Sequence, residues 1–376
     1  MPVLRHALST GRRSESRSLT QRPPTPDDAR GSPRALVVAP SWVGDAILSE
    51  PLIAALHRRG AVVDVIAPAW CAPVYARVRG VRRIVDAPFT HGRFGWAARR
   101  ALGHALRAAR YTHAYVLPNT WKSALVPWFA RIRVRTGYVG EMRYALLTDP
   151  RRVDRRRVPR LVARYAALAS PPNDVLPVDE ADLAPRLVPD AANRDAAMRA
   201  MQLTRERPVA ILCPGAEFGP AKRWPAEHFA ALARRLHDDG CAIWILGSPN
   251  DRAAAAQVMA ALDGSTSGVV DLTGRTDLGS AIDLMSVAAL VVSNDSGLMH
   301  AAAAVGAPLV ALFGSSSPAY TPPLSATAKI ARIDIACSPC FERECPLGHF
   351  RCMRDLSPDM VYNLARSSLA LQAPLR

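Results

Sequence analysis

Three segments of the chain repeat one order of hydrophobic and polar positions. Each has a short apolar run, a loop that contains glycine, a stretch with helical spacing and a second apolar run. The paired runs are ALVVAP (35–40) with VVDVIAP (62–68), VAILCP (209–214) with CAIWILG (241–247), and AALVVS (288–293) with PLVALFG (308–314). Apolar runs of this length, rich in β-branched residues, are typical of buried strands. A helix between two such strands predicts a βαβ unit of a parallel sheet.

The first unit lies in the N-terminal half and the other two lie in the C-terminal half, with a proline-rich stretch between them. This arrangement predicts an α/β protein with two Rossmann-like domains facing each other across a cleft. The predicted parts are a disordered N-terminal extension (1–33), an N-terminal domain (34–175), a linker (176–207), a C-terminal domain (208–356) and a C-terminal helix (357–376). Ligands of such sheets bind at the carboxyl ends of the strands, so the glycine-containing loops are expected to line the cleft.

Composition narrows the class of protein. The chain has 376 residues, 49% of them hydrophobic and 21% charged, which excludes a chain that is disordered throughout. No run of 18 apolar residues exists, which argues against a protein with several membrane-spanning helices. The first 33 residues lack the apolar core of a secretory signal, so we expect a cytoplasmic protein.

The net charge of +16 predicts an anionic partner. The excess lies in the N-terminal half: residues 77–110 hold nine Arg and one acid, and residues 131–160 hold ten Arg and three acids. Residues 207–336 are close to neutral, with nine basic and eleven acidic residues. A basic nucleic-acid-binding protein is one alternative, but aromatic residues are only 6% and no known binding module is visible.

Three loops carry candidate chemistry, and each has a simpler alternative. Asp45 follows Gly44 after the first strand, where it could act as a general base or cap the helix. Asp295-Ser296-Gly297 opens a helix with His300 one turn later, which suits an anion such as a diphosphate or merely caps the helix above a buried histidine. Lys222 could reach a phosphate in the same cleft or be a solvated lysine. The chain has neither a GxGxxG loop after its first strand nor a P-loop.

Four of the seven cysteines cluster as Cys337-x2-Cys340-x4-Cys345-x6-Cys352 within an excursion of the C-terminal domain (337–352). In a reducing compartment such spacing suggests a structural metal more than disulfides, and free thiols are the alternative. A catalytic metal is not expected.

The segments SWVGD (41–45), PGAEFGPAKRWP (214–225) and SNDSGLMH (293–300) resemble the ADP-heptose:lipopolysaccharide heptosyltransferases, glycosyltransferase family 9. Further similar stretches are APAWC (67–71), VLPN (116–119) and GEMRY (140–144). The resemblance runs from about residue 35 to at least 323. Within the family it is strongest to the enzymes that add the second heptose of the inner core. It implies the GT-B fold, which agrees with the two predicted Rossmann-like domains.

The resemblance also implies an inverting transfer that needs no metal or cofactor, with ADP-heptose as the donor. Asp45 would be the catalytic base and Lys222 would contact the donor diphosphate. Other implied residues are Asp251, Asp295, Ser296, Gly297, Leu298 and His300 for the donor, and Asn119, Lys122 and Arg143 for the acceptor.

The implied acceptor is the anionic lipopolysaccharide core, heptosyl-Kdo2-lipid A, which the Arg-rich half would attract. The enzyme would meet this acceptor peripherally at the cytoplasmic face of the inner membrane, with no nucleic acid involved. Because the fold does not fix the sugar, another GT-B nucleotide-sugar transferase or a sugar-nucleotide epimerase is the alternative.

Overall fold

The computed structural model describes residues 32–89, 94–172, 180–264 and 268–370, in which the chain forms two parallel six-stranded sheets. Most of the predicted extension (1–33), part of the linker (173–179) and the last residues of the C-terminal helix (371–376) lie outside the described residues.

The first sheet has the strand order β3-β2-β1-β4-β5-β6. Its strands are β1 (Arg34–Val38), β2 (Val62–Ala67), β3 (Val81–Asp86), β4 (His113–Val116), β5 (Val134–Tyr138) and β6 (Asp149–Arg151). The helices of this half are α1 (Val43–Leu48), α2 (Glu50–Arg58), α3 (Ala72–Tyr75), α4 (Trp96–Leu106), α5 (Leu125–Phe129) and α6 (Leu161–Ala167). Short 3₁₀ turns cover Arg107–Ala109, Trp121–Ala124 and Arg143–Ala145.

The second sheet has the order β12-β11-β10-β7-β8-β9. Read from the opposite edge, with β7 counted as its first strand, this is the same order as in the first sheet. Its strands are β7 (Val209–Cys213), β8 (Ala242–Ile245), β9 (Val269–Asp271), β10 (Leu290–Asn294), β11 (Leu309–Leu312) and β12 (Ala328–Ala331). The remaining helices are α7 (Glu180–Leu183), α8 (Ala191–Ala200), α9 (Ala226–Asp238), α10 (Arg252–Ala261), α11 (Leu278–Met285), α12 (Gly297–Ala304), α13 (Arg351–Arg354) and α14 (Pro358–Ala370). Short 3₁₀ turns cover Pro220–Lys222 and Pro249–Asp251.

Both sheets therefore have the doubly wound order of a Rossmann fold, and the predicted fold class is confirmed. In each sheet the order reverses between the first and fourth strands, β1 and β4 in one and β7 and β10 in the other. Ligands of such folds bind at the carboxyl ends of these strands. Asp45, Lys222 and Asp295 lie in the segments that follow β1, β7 and β10, at these positions.

Helix α1 ends at Leu48, and Ser49 separates it from α2. The stretch of helical spacing between the first two apolar runs forms two helices, with Pro51 in the first turn of α2, where the missing N–H of a proline costs no helical hydrogen bond. The Ser49 hydroxyl bonds the carbonyl oxygen of Ala46 at 2.7 Å and the Tyr75 hydroxyl at 3.0 Å. Asp45 is thus held in a separate six-residue helix beside the cleft.

One apolar core is shared by the two domains. It includes Leu52 of α2, Leu187 of the linker and Met299 of α12, all almost fully buried. The described part of the predicted linker is folded onto this core: α8 packs on α11, and Val78 pairs with Leu187 in an antiparallel bridge. Helix α8 was not predicted from the proline-rich sequence.

A buried ion pair also joins the domains. The guanidinium of Arg77, which follows α3, donates to both carboxylate oxygens of Asp283 in α11, with Nε 2.6 Å from Oδ1. Asp283 is fully buried and also accepts hydrogen bonds from the backbone N–H of Asp190 and the side chain of Asn193. The pair fixes the N-terminal domain to the C-terminal domain below the cleft.

Candidate active site

The N-terminal ends of α1 and α12, one from each domain, pack against each other at the cleft. The contact needs two glycines. A Cβ at Gly297 would lie 2.9 Å from the Cβ of Val43, and a Cβ at Gly44 would lie 3.0 Å from Cδ2 of His300. The first turns of the two helices are therefore in direct contact, and the positive end of a helix favours a nearby anion.

Asp45 is the third residue of α1 and lies in this contact. Burial raises the pKa of its carboxyl group from 3.8 to about 6, against the opposing effect of the positive charge of Lys222. Among the described residues its carboxylate accepts no hydrogen bond. A free carboxylate with a pKa this close to neutrality is suited to accept a proton.

The helix-cap alternative for Asp45 is wrong. The N-cap of α1 is Trp42, whose carbonyl oxygen accepts the first helical hydrogen bond from Ala46 at 2.8 Å. Asp45 lies inside the first turn, so its charge favours the helix only through the dipole.

Three tyrosines that the sequence did not indicate lie close enough to Asp45 for its charge to act on their hydroxyl groups. Burial raises the pKa values of Tyr75, Tyr165 and Tyr320, and the negative charge of Asp45 raises them further. The charges of Arg164 and Arg155 lower the pKa of Tyr320 against these effects, so both arginines lie near Tyr320. The three tyrosines are distributed over α3, α6 and the loop after β11, so no local spacing in the sequence could have grouped them.

Lys222 is paired, and the solvated-lysine alternative is therefore wrong. Its Nζ lies 2.5 Å from Oδ2 of Asp295, with the two side chains only 16% and 5% exposed. The Ser316 hydroxyl donates to the same carboxylate oxygen. Ser316 follows β11 at the carboxyl edge of the sheet, and this position could have identified it as a candidate site residue from the sequence.

The first turn of α12 lacks a side-chain cap. Ser296 occupies the N-cap position, but its hydroxyl lies 3.3 Å from that of Ser293 and makes no capping hydrogen bond. The backbone N–H groups at Gly297 and Leu298 are therefore not satisfied by a side chain of the cap, as expected of an anion site at a helix N-terminus.

His300 lies one turn into α12 and is 6% exposed. Burial lowers the pKa of its imidazole to about 4, and the charge of Lys222 lowers it further against the effect of Asp295. The ring is therefore neutral at physiological pH and can donate or accept a hydrogen bond without adding charge to the cleft.

Asn294 holds the Lys222 loop in place. Its buried side chain accepts a hydrogen bond from the backbone N–H of Trp224 at 3.1 Å and donates one to the carbonyl oxygen of Pro214 at 2.8 Å. Both ends of the loop are therefore bonded to β10. The middle of the loop is held by Arg343 of the cysteine-rich excursion, which bonds Phe218 and Ala221. These contacts fix the position of Lys222 without involving its charge.

Asp251 lies beside Gly215 at the carboxyl ends of β7 and β8. Its Oδ2 accepts from the N–H and the hydroxyl of Ser248, both at 2.8 Å. A Cβ at Gly215 would lie 2.2 Å from the Asp251 carboxyl, so only glycine fits there. Asp251 thus caps its own turn, and its predicted contact with a ribose stays a prediction.

The three residues predicted to bind the acceptor have different environments. Asn119 and the partly exposed Lys122 lie in the loop after β4, whereas Arg143 is 1% exposed. The Arg143 guanidinium donates to the carbonyl oxygens of Pro118, Thr120 and Tyr138. It therefore holds the loops in position, and any effect of Arg143 on the acceptor would be through those loops.

The arginine excess is only partly a surface property. Arg77, Arg82, Arg83 and Arg151 bind carboxylates of the protein. Arg99, Arg107 and Arg135 donate to backbone carbonyl oxygens. Composition therefore overstated the charge available to a partner, because it counts structural and exposed arginines alike.

The cysteine-rich excursion packs beside the Lys222 loop. Its four cysteines and His349 line a cavity of about 50 Å³ together with Ala221 and Ser315. Across the described ranges, no three His, Cys, Asp or Glu side chains are placed to hold a metal ion, so the structural-metal alternative gains no support. The thiols are free in the structure.

No helix in the part of the chain that the structure describes is long and apolar enough to cross a bilayer.

Comparisons with known proteins agree with the loops described above. The matching family model, glycosyltransferase family 9 (heptosyltransferase), aligns with residues 99–351. Lipopolysaccharide heptosyltransferase 2 of Escherichia coli K12 is 42% identical over 334 residues, covering 87% of this chain and 96% of the relative. Lipooligosaccharide heptosyltransferase 2 of Haemophilus ducreyi is 41% identical over 348 residues, covering 90% and 99%.

Solved structures show the same similarity. The structure of E. coli ADP-heptose LPS heptosyltransferase II superimposes with a TM-score of 0.80 at 41% identity, covering 90% of this chain and 99% of that one. E. coli heptosyltransferase WaaC with ADP, at 18% identity and a TM-score of 0.66, shares the fold. The two sheets, the cleft loops and these relatives lead to one conclusion: the chain belongs to glycosyltransferase family 9, the heptosyltransferases.

Proposed function

We propose that the protein transfers L-glycero-D-manno-heptose from ADP-heptose to the first heptose of the lipopolysaccharide inner core. The relatives with 41–42% identity are lipopolysaccharide heptosyltransferases 2 and E. coli ADP-heptose LPS heptosyltransferase II, which supports an ADP-heptose donor and a lipopolysaccharide acceptor. The observation that carries the proposal is the packing of the first turn of α1, which contains Asp45, against the uncapped N-terminus of α12, with the Lys222–Asp295 pair near enough for the lysine charge to act on Asp45.

The donor diphosphate would bind at the start of α12. The backbone N–H groups of Gly297 and Leu298, the Ser296 hydroxyl and the Lys222 ammonium supply donors and positive charge for its oxygens. Asp295 would orient Lys222, and neutral His300 would bond an oxygen of the diphosphate or sugar. Asp251 would accept hydrogen bonds from ribose hydroxyls at the ends of β7 and β8.

Asp45 would act as the base. As the acceptor hydroxyl oxygen attacks the anomeric carbon, its proton passes to the Asp45 carboxylate and the bond from that carbon to the diphosphate breaks. Attack from the face opposite the leaving ADP inverts the configuration. A well-placed base contributes about 10²–10⁴-fold. Lys222 and the end of α12 would offset the charge gained by the diphosphate, so the reaction needs no metal or other cofactor.

The acceptor would enter from the N-terminal domain. Asn119 and Lys122 on the loop after β4, together with Arg155 near Tyr320, provide hydrogen bonds and positive charge for an anionic core. Arg143 would hold the backbone of these segments in position. Because the acceptor carries lipid A, the enzyme would work peripherally at the cytoplasmic face of the inner membrane.

The test is incubation of the purified protein with ADP-heptose and a core acceptor that carries one heptose, followed by mass spectrometry. We expect the product to gain one heptose, with ADP released in equal amount and no effect of EDTA. An acceptor without heptose should give no product, and ADP-glucose should replace ADP-heptose poorly. Transfer to the heptose-free acceptor instead would assign a different step, and no transfer to either would overturn the proposal.

A further inference from the structure

The N-terminal domain carries a group of exposed aromatic side chains outside the cleft. Phe94, Trp96, Trp121 and Trp128 are 40–47% exposed. Their rings are in contact: Phe94 lies 4.9 Å from Trp121 and 5.8 Å from Trp96, and both Trp96 and Trp128 lie within 5.0 Å of the ring of Phe129. Connected aromatic patches on a water-exposed surface are rare and mark interaction sites.

The scaffold beneath this patch is tightly packed. A Cβ at Gly103 of α4 would lie 2.4 Å from the Cβ of Phe129, so α4 and α5 are in close contact. Buried Arg99 donates to the carbonyl oxygens of Phe94 at 2.9 Å and Lys122 at 3.2 Å, which joins the segments that carry the aromatic rings. The rings are therefore displayed on a preformed surface.

Positive charge surrounds the patch. Residues 94–133 contain seven Lys and Arg and neither Asp nor Glu. Arg100, Arg131 and Arg133 are exposed. The pKa of His104 is lowered by partial desolvation and by the charges of Arg107, Arg100 and Arg131, so these cations lie near His104, whose ring is 6.2 Å from that of Phe129. Among the described residues, the carboxylate of Glu141 reaches the edge of the patch, where it accepts a hydrogen bond from the backbone N–H of Trp121 at 3.0 Å.

Exposed tryptophans next to arginines are the combination expected of a protein surface that contacts an anionic bilayer. Tryptophan rings prefer the headgroup level of a bilayer, where an apolar ring and a polar N–H are both satisfied. Arginines beside them are attracted by anionic lipid headgroups. A second copy of the same patch would bring like charges together, which disfavours self-association through this surface.

We propose that Phe94, Trp96, Trp121 and Trp128, with Arg100, Arg131 and Arg133, form a docking face for an anionic phospholipid bilayer. The inference rests on the proposed function, in which the acceptor is held in a membrane. Trp121 connects the face to the acceptor side of the cleft, because it lies between Asn119 and Lys122. A docked enzyme would thus present its acceptor side to the lipid surface.

The test is flotation of the full-length protein with vesicles. The vesicles contain phosphatidylglycerol and phosphatidylethanolamine, and phosphatidylcholine vesicles are the reference. One variant combines Arg100→Glu with Arg131→Glu, and a second combines Trp96→Ser with Trp128→Ser. Arg366→Glu and Phe341→Asn, exposed positions of the C-terminal domain, are the matched controls.

We expect the wild type to bind the anionic vesicles at least about tenfold more tightly than the reference. The charge reversals should weaken that binding about 30-fold or more, since each surface cation contributes roughly fivefold. The tryptophan changes should weaken it about tenfold. The controls should stay within about twofold. Unchanged binding by both face variants would overturn the inference.

A second measurement uses the wild type alone, in case a variant does not fold. Anionic vesicles should protect residues 94–106 and 121–131 from hydrogen exchange, and equal exchange with and without vesicles would overturn the inference. Transfer to a delipidated, soluble acceptor separates this inference from the proposed function. Folded face variants should keep that transfer within about twofold, and a wild type without any transfer would overturn the proposed function alone.

Discussion

Lys222 Nζ lies 2.5 Å from Asp295 Oδ2, so the lysine of one cleft loop is bonded to the residue that precedes the α12 N-cap. The two residues are 73 positions apart, on the loops after β7 and β10. The pair aligns the ammonium group with the positive end of α12, where a diphosphate would bind.

Lys222→Met should lower both stability and activity. Removal of the lysine leaves the carboxylate of Asp295 buried with only Ser316 as a described partner, which we expect to cost about 1–3 kcal/mol of unfolding free energy. The transfer rate should fall about 10²–10³-fold. Urea denaturation and single-turnover transfer measure the two effects, and Lys329→Met on β12 should change stability by less than about 0.5 kcal/mol.

The double variant Lys222→Met with Asp295→Asn separates the two effects. Because both charges are removed together, it should regain most of the lost stability. It should not regain transfer. Recovery of transfer by the double variant would mean that Lys222 acts only by neutralising Asp295.

Asp45→Asn should stabilise the protein at neutral pH. The pKa of Asp45 is about 6 when folded and about 3.8 when unfolded, so the folded state holds the proton more tightly. Stability owed to this group is therefore highest below about pH 4, falls as the pH rises towards 6 and stays low above it. At about pH 7.5 the free energy of unfolding of the variant should be about 1–3 kcal/mol higher than that of the wild type. At about pH 4 the two should be alike.

Urea denaturation at the two pH values tests this prediction. Asp45→Ala is a weaker control because it also removes side-chain atoms. A variant Asp45→Asn that is less stable than the wild type at neutral pH would show that the carboxylate makes a structural contact.

The ion pair between Arg77 and Asp283 should be a major contributor to the stability of the interdomain contact. Arg77→Met leaves the fully buried carboxylate of Asp283 with only neutral donors, and we expect a loss of about 3–5 kcal/mol. The neighbouring exposed Arg79 is the control, since Arg79→Met should cost less than about 0.5 kcal/mol. Denaturant unfolding followed by tryptophan fluorescence measures both, and equal effects would contradict the assignment.

Much of the fold was predictable because the central strands are apolar. The predicted runs correspond to β1, β2, β7, β8, β10 and β11. The edge strands β3 (VRRIVD) and β6 (DPR) carry charged residues that pair with protein groups, so they lack the apolar signature. Their place in the sheet follows from the neighbouring strands rather than from their own sequence.

The site was predictable only as far as its loops. The position of Asp45, Lys222 and Asp295 after strands brought them to one edge, but the Lys222–Asp295 pair depends on tertiary contact. Arg143 shows the limit most clearly. The resemblance indicated a binding residue, whereas its burial and its hydrogen bonds to the backbone carbonyls of Pro118, Thr120 and Tyr138 depend on tertiary contacts.

Exposed arginines near the acceptor side should make acceptor capture sensitive to salt. Arg155, Arg156 and Arg157 are exposed on the loop after β6, and Arg155 acts on Tyr320 in the cleft. Raising the ionic strength from about 0.05 to 0.5 M should raise KM for the anionic acceptor more than KM for ADP-heptose. Changing all three to Gln should reduce that difference, whereas Arg199→Gln on α8 should not. Equal salt sensitivity of both KM values would contradict this role.

The central claim is that Asp45 is the base of the transfer, and its most direct test is the single-turnover rate of Asp45→Asn at saturating donor and acceptor. The asparagine keeps the size of the side chain but cannot take the proton. We expect a transfer rate about 10²–10⁴-fold below that of the wild type, with ADP binding retained. We also expect the wild-type rate to fall as the pH drops below about 6, the pKa of Asp45. A folded Asp45→Asn protein that transfers heptose at the wild-type rate would contradict the account.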